Sequence, residues 1–196
     1  MNNIIIKNYP APQINKSEIL RYAGGSNDEN TIKLLNECIE EVYDLLIYKV
    51  CYCELTVNIS DNICDFDTFK IQSNNLATNL KGCNKVIIIG ATVGIALDRL
   101  IAKYSRISPA KALLLQAIGA ERIESLCDAF CCDVKKTLKI TLRPRFSAGY
   151  GDLPLETQKS IFEHLNLPKH IGLTLNDSML MSPSKSVTAF IGIQEV

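Results

Sequence analysis

Arg143-Pro144-Arg145-Phe146-Ser147-Ala148-Gly149-Tyr150-Gly151-Asp152-Leu153-Pro154 is rich in special residues and poor in core-building ones, and it reads as a binding loop. Arg143 and Arg145 offer guanidinium forks suited to a carboxylate or phosphate, and Gly149 and Gly151 let backbone approach a ligand where a side chain would collide. Tyr150, between those glycines, supplies a flat face and a hydroxyl, which suits a cation or a heterocycle. The alternative reading of the same composition is an ordinary Gly/Pro turn with solvated arginines.

Around this loop the composition sets limits. With 196 residues the chain is long enough to bury a real core, and a single domain over residues 1–196 is expected, with residues 1–60 as a candidate N-terminal lobe of helix and strand. Lys plus Arg and Asp plus Glu both number 21, so no global field drives the chain toward nucleic acid or an anionic membrane. Apolar runs such as residues 86–89 are too short to span a bilayer, and the N-terminus lacks a signal-peptide pattern, so a cytoplasmic location is expected.

Eight cysteines stand at Cys38, Cys51, Cys53, Cys64, Cys83, Cys127, Cys131 and Cys132, with no Cys-x-x-Cys pair. The two histidines, His164 and His170, both lie beyond the last of them. This pattern predicts reduced thiols acting as small buried hydrophobes, with no metal. Cys51 with Cys53 on a strand, and Cys127 with Cys131 on a helix, leave a spatial cluster as the alternative.

The chain mixes long helical patterns with shorter apolar runs. Strands are predicted over residues 2–7, 50–59, 66–71, 85–89, 137–142 and 186–193. Helices are predicted over 17–22, 29–48, 74–80, from the Gly90-to-Gly94 turn to 104, over 108–136 and over 154–164. Ser108-Pro109 is a good helix start. Glu121, Glu124 and Asp128 recur at helical spacing along that helix, and by themselves they read as a solvated acidic face. The turn at residues 90–94 lacks both phosphate-binding spacings, so tight strand-to-helix packing is its better account. Helices and strands without regular alternation argue for an α+β fold.

From Arg145 onward the chain resembles the activation domain of cobalamin-dependent methionine synthase. The ordered features are Arg145 with Gly149 and Tyr150, then Leu175 to Ser178, Met181 with Pro183, and Ser186 with Val187. The segments 18–22 and 80–83, with Ala91-Thr92-Val93-Gly94, are similar to the short free-standing bacterial form and extend the likeness over most of the chain. The resemblance implies a bent antiparallel sheet with flanking helices.

The resemblance also implies a ligand, S-adenosylmethionine, and its site. Arg145 is expected at the ligand carboxylate, Ser147, Ala148 and Gly149 to contribute backbone near the sulfonium or amino group, and Tyr150 to border the methyl group. Aligning residues 123–126 with the family's helix adds Glu124 to that site. Methyl transfer from a sulfonium to low-valent cobalt needs alignment more than proton chemistry, and no Ser/His/Asp or paired-carboxylate signature appears.

The implied function is accessory. The domain supplies S-adenosylmethionine while an electron donor of flavodoxin type reduces oxidised cobalamin, and the cobalamin sits on a partner, the methionine synthase core. This chain has no Asp-x-His-x-x-Gly motif and is not expected to be a complete enzyme. Ala148 stands where proline is common, and Asn176-Asp177 stand for Thr-Glu. Longer family members continue past the final strand with another aromatic, so the adenosine side is expected to be open. The alternatives are a reactivator of another corrinoid methyltransferase, a free-standing S-adenosylmethionine-dependent enzyme, and an interaction module that has lost the ligand.

Overall fold

The computed structural model describes residues 3–25 and 27–194. Its centre is β6 (Lys85–Thr92), whose sequence KVIIIGAT is buried from its second residue on. A strand that is apolar on both faces must be covered on both, and here it is. Beside β6 lie β2 (Lys49–Thr56) and β10 (Ser186–Gln194), with β1 (Ile5–Asn8) outside β2 and β7 (Thr141–Leu142) outside β10. All four pairings are antiparallel, giving a curled sheet of order β1-β2-β6-β10-β7.

Successive side chains of β6 point to opposite faces and feed two cores. Ile87, Ile89 and Ala91 join the helical layer of α1 (Lys16–Ala23), α2 (Glu29–Val42), α4 (Ala96–Ile107) and the long α5 (Pro109–Leu138). Val86 and Ile88 join Phe190 and the elements α3 (Asn74–Asn79), α6 (Thr157–Leu165) and α7 (Leu167–Ile171) on the other face. Gly90 lies under Leu167, so close that an added Cβ would fall 2.5 Å from Leu167 Cδ2. A small three-stranded sheet, β3 (Asn58–Ser60), β4 (Ile63–Asp65) and β5 (Lys70–Gln72), and a hairpin of β8 (Thr174–Leu175) and β9 (Met181–Ser182) complete the fold. Within residues 1–60, β1 and β2 enter the main sheet, and Ile19, Leu35 and Val50 share the core with Ile89 and Phe130.

Several boundaries differ from expectation, each for a local reason. The helix predicted over 29–48 ends at Val42, where Leu45 N–H closes a turn onto Val42 C=O at 3.0 Å; Leu46 still faces the core, which prolongs the periodicity past the helix. The strand predicted over 50–59 is two strands in two sheets, parted at Val57, whose N–H bonds Asn84 C=O at 2.9 Å. Residues 66–69 form the turn into β5, with Phe66 N–H on Phe69 C=O at 3.0 Å.

The turn read at Gly90 lies later, because β6 continues through Thr92. Helix α5 runs to Leu138 and ends on left-handed Lys139, leaving only Thr141–Leu142 as strand. Helix α6 starts at Thr157 and not at 154, and β1 starts at Ile5; Asn2, the start predicted for that strand, lies outside the described residues. No helix among the described residues is long and apolar enough to cross a membrane.

Candidate functional site

Beyond β7 the chain keeps company with β10: Arg143 N–H donates to Gly192 C=O at 2.8 Å, and Phe146 and Phe190 exchange backbone hydrogen bonds at 2.9 and 2.8 Å. Phe146 is buried in the core of the α6 face beside Phe190. By strand alternation Arg145 then projects to the opposite face, toward α5. There its Nη2 donates to Glu124 Oε2 at 2.7 Å and its Nη1 to Asp128 Oδ1 at 2.6 Å. Glu124 and Asp128 are four residues apart on α5 and therefore share one helix face.

After Phe146 the backbone leaves the sheet and coils on itself. Tyr150 N–H donates to Ser147 C=O at 3.2 Å, Leu153 N–H to Tyr150 C=O at 3.1 Å, and Gly149 N–H to Leu153 C=O at 2.9 Å. Gly149 at φ 84° and Gly151 at φ 60° supply the left-handed conformations this coil needs. Leu153 is buried and anchors the coil, while Tyr150 is 70% exposed with its ring edge-on to Phe146, centroids 5.5 Å apart.

Asp152 closes the loop against α3. Its carboxylate accepts from Asn74 N–H at 2.7 Å, Asn75 N–H at 3.1 Å and the Ser73 hydroxyl. These donors, the Ser73 hydroxyl first, hold its pKa down at about 2.

Burial alone would favour loss of the Arg145 proton, yet the Asp128 hydrogen bond and its neighbours outweigh it and hold the guanidinium above its ordinary value. Cys131, whose sulfur lies 3.9 Å from Arg145 Nη1, is pushed up by burial and stays a neutral thiol.

Of the residues predicted from sequence, Arg145 and Glu124 are brought into direct contact, and Ser147, Ala148, Gly149 and Tyr150 form the turn that follows. Ala148 packs against the core beneath the loop, and the Ser147 carbonyl is engaged by Tyr150 N–H. The motif residues further on are architectural. Leu175 pairs with Met181, and the Ser186 hydroxyl donates to Pro183 C=O and shares a hydrogen bond with the Thr92 hydroxyl, both at 2.8 Å, which seats the start of β10.

The acidic stripe of α5 is solvated only in part, Asp128 being exposed and Glu121 buried. Asp128 binds Arg145, and Glu121 is 2% exposed and paired at 2.5 Å with Arg122 Nε. Arg122 in turn donates to Pro12 C=O at 2.6 Å and Gln13 C=O at 2.8 Å, while Glu121 accepts from Asn15 N–H at 3.1 Å. The signal in the sequence was an adjacent Glu-Arg pair on an otherwise apolar stretch.

Six of the cysteines are buried free thiols, whereas Cys131 is half-buried and Cys132 exposed. Burial, with Cys51 adding to it, pushes the Cys53 thiol up to about 12. Among the described residues no group of three or more His, Cys, Asp or Glu is placed to hold a metal. A separate groove between β1, β2 and α5, bordered by Ile5, Lys7, Tyr52, Glu54 and Asp133, contains none of the predicted residues.

The chain is similar to the crystal structure of the MetH reactivation domain bound to AdoHcy, with a TM-score of 0.70 and 13% identity, over 97% of this chain and 78% of that chain. The fold is thus that of the methionine synthase activation domain, α+β with a curled antiparallel sheet. No protein-family model matches the sequence, and no curated protein matches it.

Proposed function

We propose that this chain binds S-adenosylmethionine and serves as an accessory protein for the reductive methylation of cobalamin in a separately encoded methionine synthase. The observation that carries this reading is the Arg145–Glu124 contact of 2.7 Å beside the turn that presents Tyr150. A guanidinium next to carboxylates offers complementary partners for both ends of an amino-acid zwitterion. Tyr150, exposed on the turn that follows Arg145 in the chain, offers an aromatic face for a sulfonium methyl or a heterocycle. The similar MetH reactivation domain carries AdoHcy, and this chain shares its fold.

In this reading S-adenosylmethionine supplies the methyl group and Arg145 holds its carboxylate. Glu124 receives the ammonium, and the backbone of Ser147, Ala148 and Gly149 lines the sulfonium side. The cobalamin belongs to the partner, and an electron donor of flavodoxin type serves the complex. A second reading, an interaction module without ligand, draws on the fact that Arg145 is already engaged within the protein.

Calorimetric titration of the wild type and Arg145→Ala with S-adenosylmethionine separates the two. Loss of a charge-assisted contact is expected to weaken binding by about 1.5–3 kcal/mol. Equal affinities remove the site assignment. A cobalamin-dependent methionine synthase core that regains methylcobalamin absorbance equally well without this chain removes the accessory role.

A further inference from the structure

Asp128 Oδ1 at 2.6 Å and Glu124 Oε2 at 2.7 Å each take an N–H of one terminal nitrogen of Arg145, so a ligand carboxylate that forks across both terminal nitrogens competes with these two acids for the guanidinium. The two acids are not equivalent. The Asp128 side chain is 70% exposed and that of Glu124 47%. The more solvated carboxylate is the one whose release costs less, since water takes over its hydrogen bonds. One guanidinium between two carboxylates also leaves the cluster with one excess negative charge, and the Cys131 thiol beside it does not change that count.

Resting on the reading that this site takes S-adenosylmethionine, we propose that Asp128 is a specificity-determining residue. It stands in for the ligand carboxylate while the site is empty, yields Arg145 to that carboxylate on binding, and then faces the ligand's cationic groups. The charge balance gives this exchange a direction. S-Adenosylmethionine carries a carboxylate, an ammonium and a sulfonium, a net single positive charge that cancels the excess at the cluster. S-Adenosylhomocysteine, the thioether left after methyl donation, has no net charge and leaves that excess in place. The site therefore favours the methyl donor over the spent product by charge, without a shape filter for one methyl group.

The test is titration of the whole chain with each of the two ligands, for the wild type, Asp128→Asn and Asp128→Glu. Wild type is expected to bind S-adenosylmethionine more tightly. Asp128→Asn weakens that binding about three- to tenfold, the size of one charge acting over a partly screened distance. It leaves S-adenosylhomocysteine within about twofold, because a freed Arg145 offsets the lost negative charge facing the ammonium. Asp128→Glu keeps the preference, and added salt shrinks the preference of the wild type but not of Asp128→Asn. An unchanged preference in Asp128→Asn overturns the role of Asp128 and leaves the site assignment standing. Binding of neither ligand by the wild type overturns both.

Discussion

Asp152 accepts a hydrogen bond from the backbone N–H of Asn74 at 2.7 Å, which fastens the far end of the Tyr150 loop to the first turn of α3. The near end is held by the Phe146–Phe190 bridge, so the coil of residues 147–151 hangs between two fixed points. Asp152→Ala is expected to release one of them. Amide exchange at Gly149 and Leu153 should quicken and S-adenosylmethionine affinity should fall. Unchanged exchange at those amides would show that the loop holds itself.

The same contact has a pH signature. The folded-state pKa of Asp152 is depressed to about 2, below the value near 4 of an unfolded aspartate. A depressed carboxyl stabilises the fold once the unfolded-state group is ionised. Its contribution is therefore present above about pH 4 and is lost as pH falls toward about 2. In the wild type, exchange at Gly149 is expected to accelerate through that window, and in Asp152→Asn the step should be missing. A carboxyl titration midpoint near 4 in the folded protein would contradict the anchor.

How far the sequence speaks depends on whether a residue's partner is near it in the chain. That Arg145, Gly149 and Tyr150 share one loop was legible because their spacing is local, and so were β10 and the start of α5 at Ser108-Pro109. That Glu124 lies against Arg145 was legible only through the family resemblance. The ion pair of the exposed Asp128 and the burial of Glu121 were not, because a helix carboxylate shows no partner until the partner arrives, here from 17 residues away for Asp128 and, for Glu121, partly from Asn15 106 residues away. The overrun of α2 has a similar cause. Leu46 is core-facing at a helical interval from Val42, and periodicity does not say that the chain between them has turned.

The buried Glu121–Arg122 pair yields a stability prediction of the opposite kind from the loop. Arg122 ties Pro12 and Gln13 to α5, and both side chains of the pair are 2% exposed. Arg122→Met leaves Glu121 without its buried cation and is expected to cost roughly 3–5 kcal/mol in urea unfolding. Adding Glu121→Gln to it should recover part of that loss, since the stranded charge is then gone. A single variant as stable as wild type would mean that water reaches Glu121.

Tyr150 separates ligand binding from folding. Its ring is 70% exposed and meets Phe146 edge-on at 5.5 Å. An aromatic pair of this kind contributes about 0.5–1.5 kcal/mol, which bounds what Tyr150→Ala can lose in unfolding free energy. The same substitution removes the face proposed to border the sulfonium, so S-adenosylmethionine affinity and the recovery of methylcobalamin in a partner should fall together. Tyr150→Phe keeps the face and loses only the hydroxyl, and should retain most of both. If Tyr150→Ala binds and reactivates like the wild type, the aromatic belongs to some other contact of the loop. If Tyr150→Phe fails as badly as Tyr150→Ala, the hydroxyl and not the ring faces the ligand.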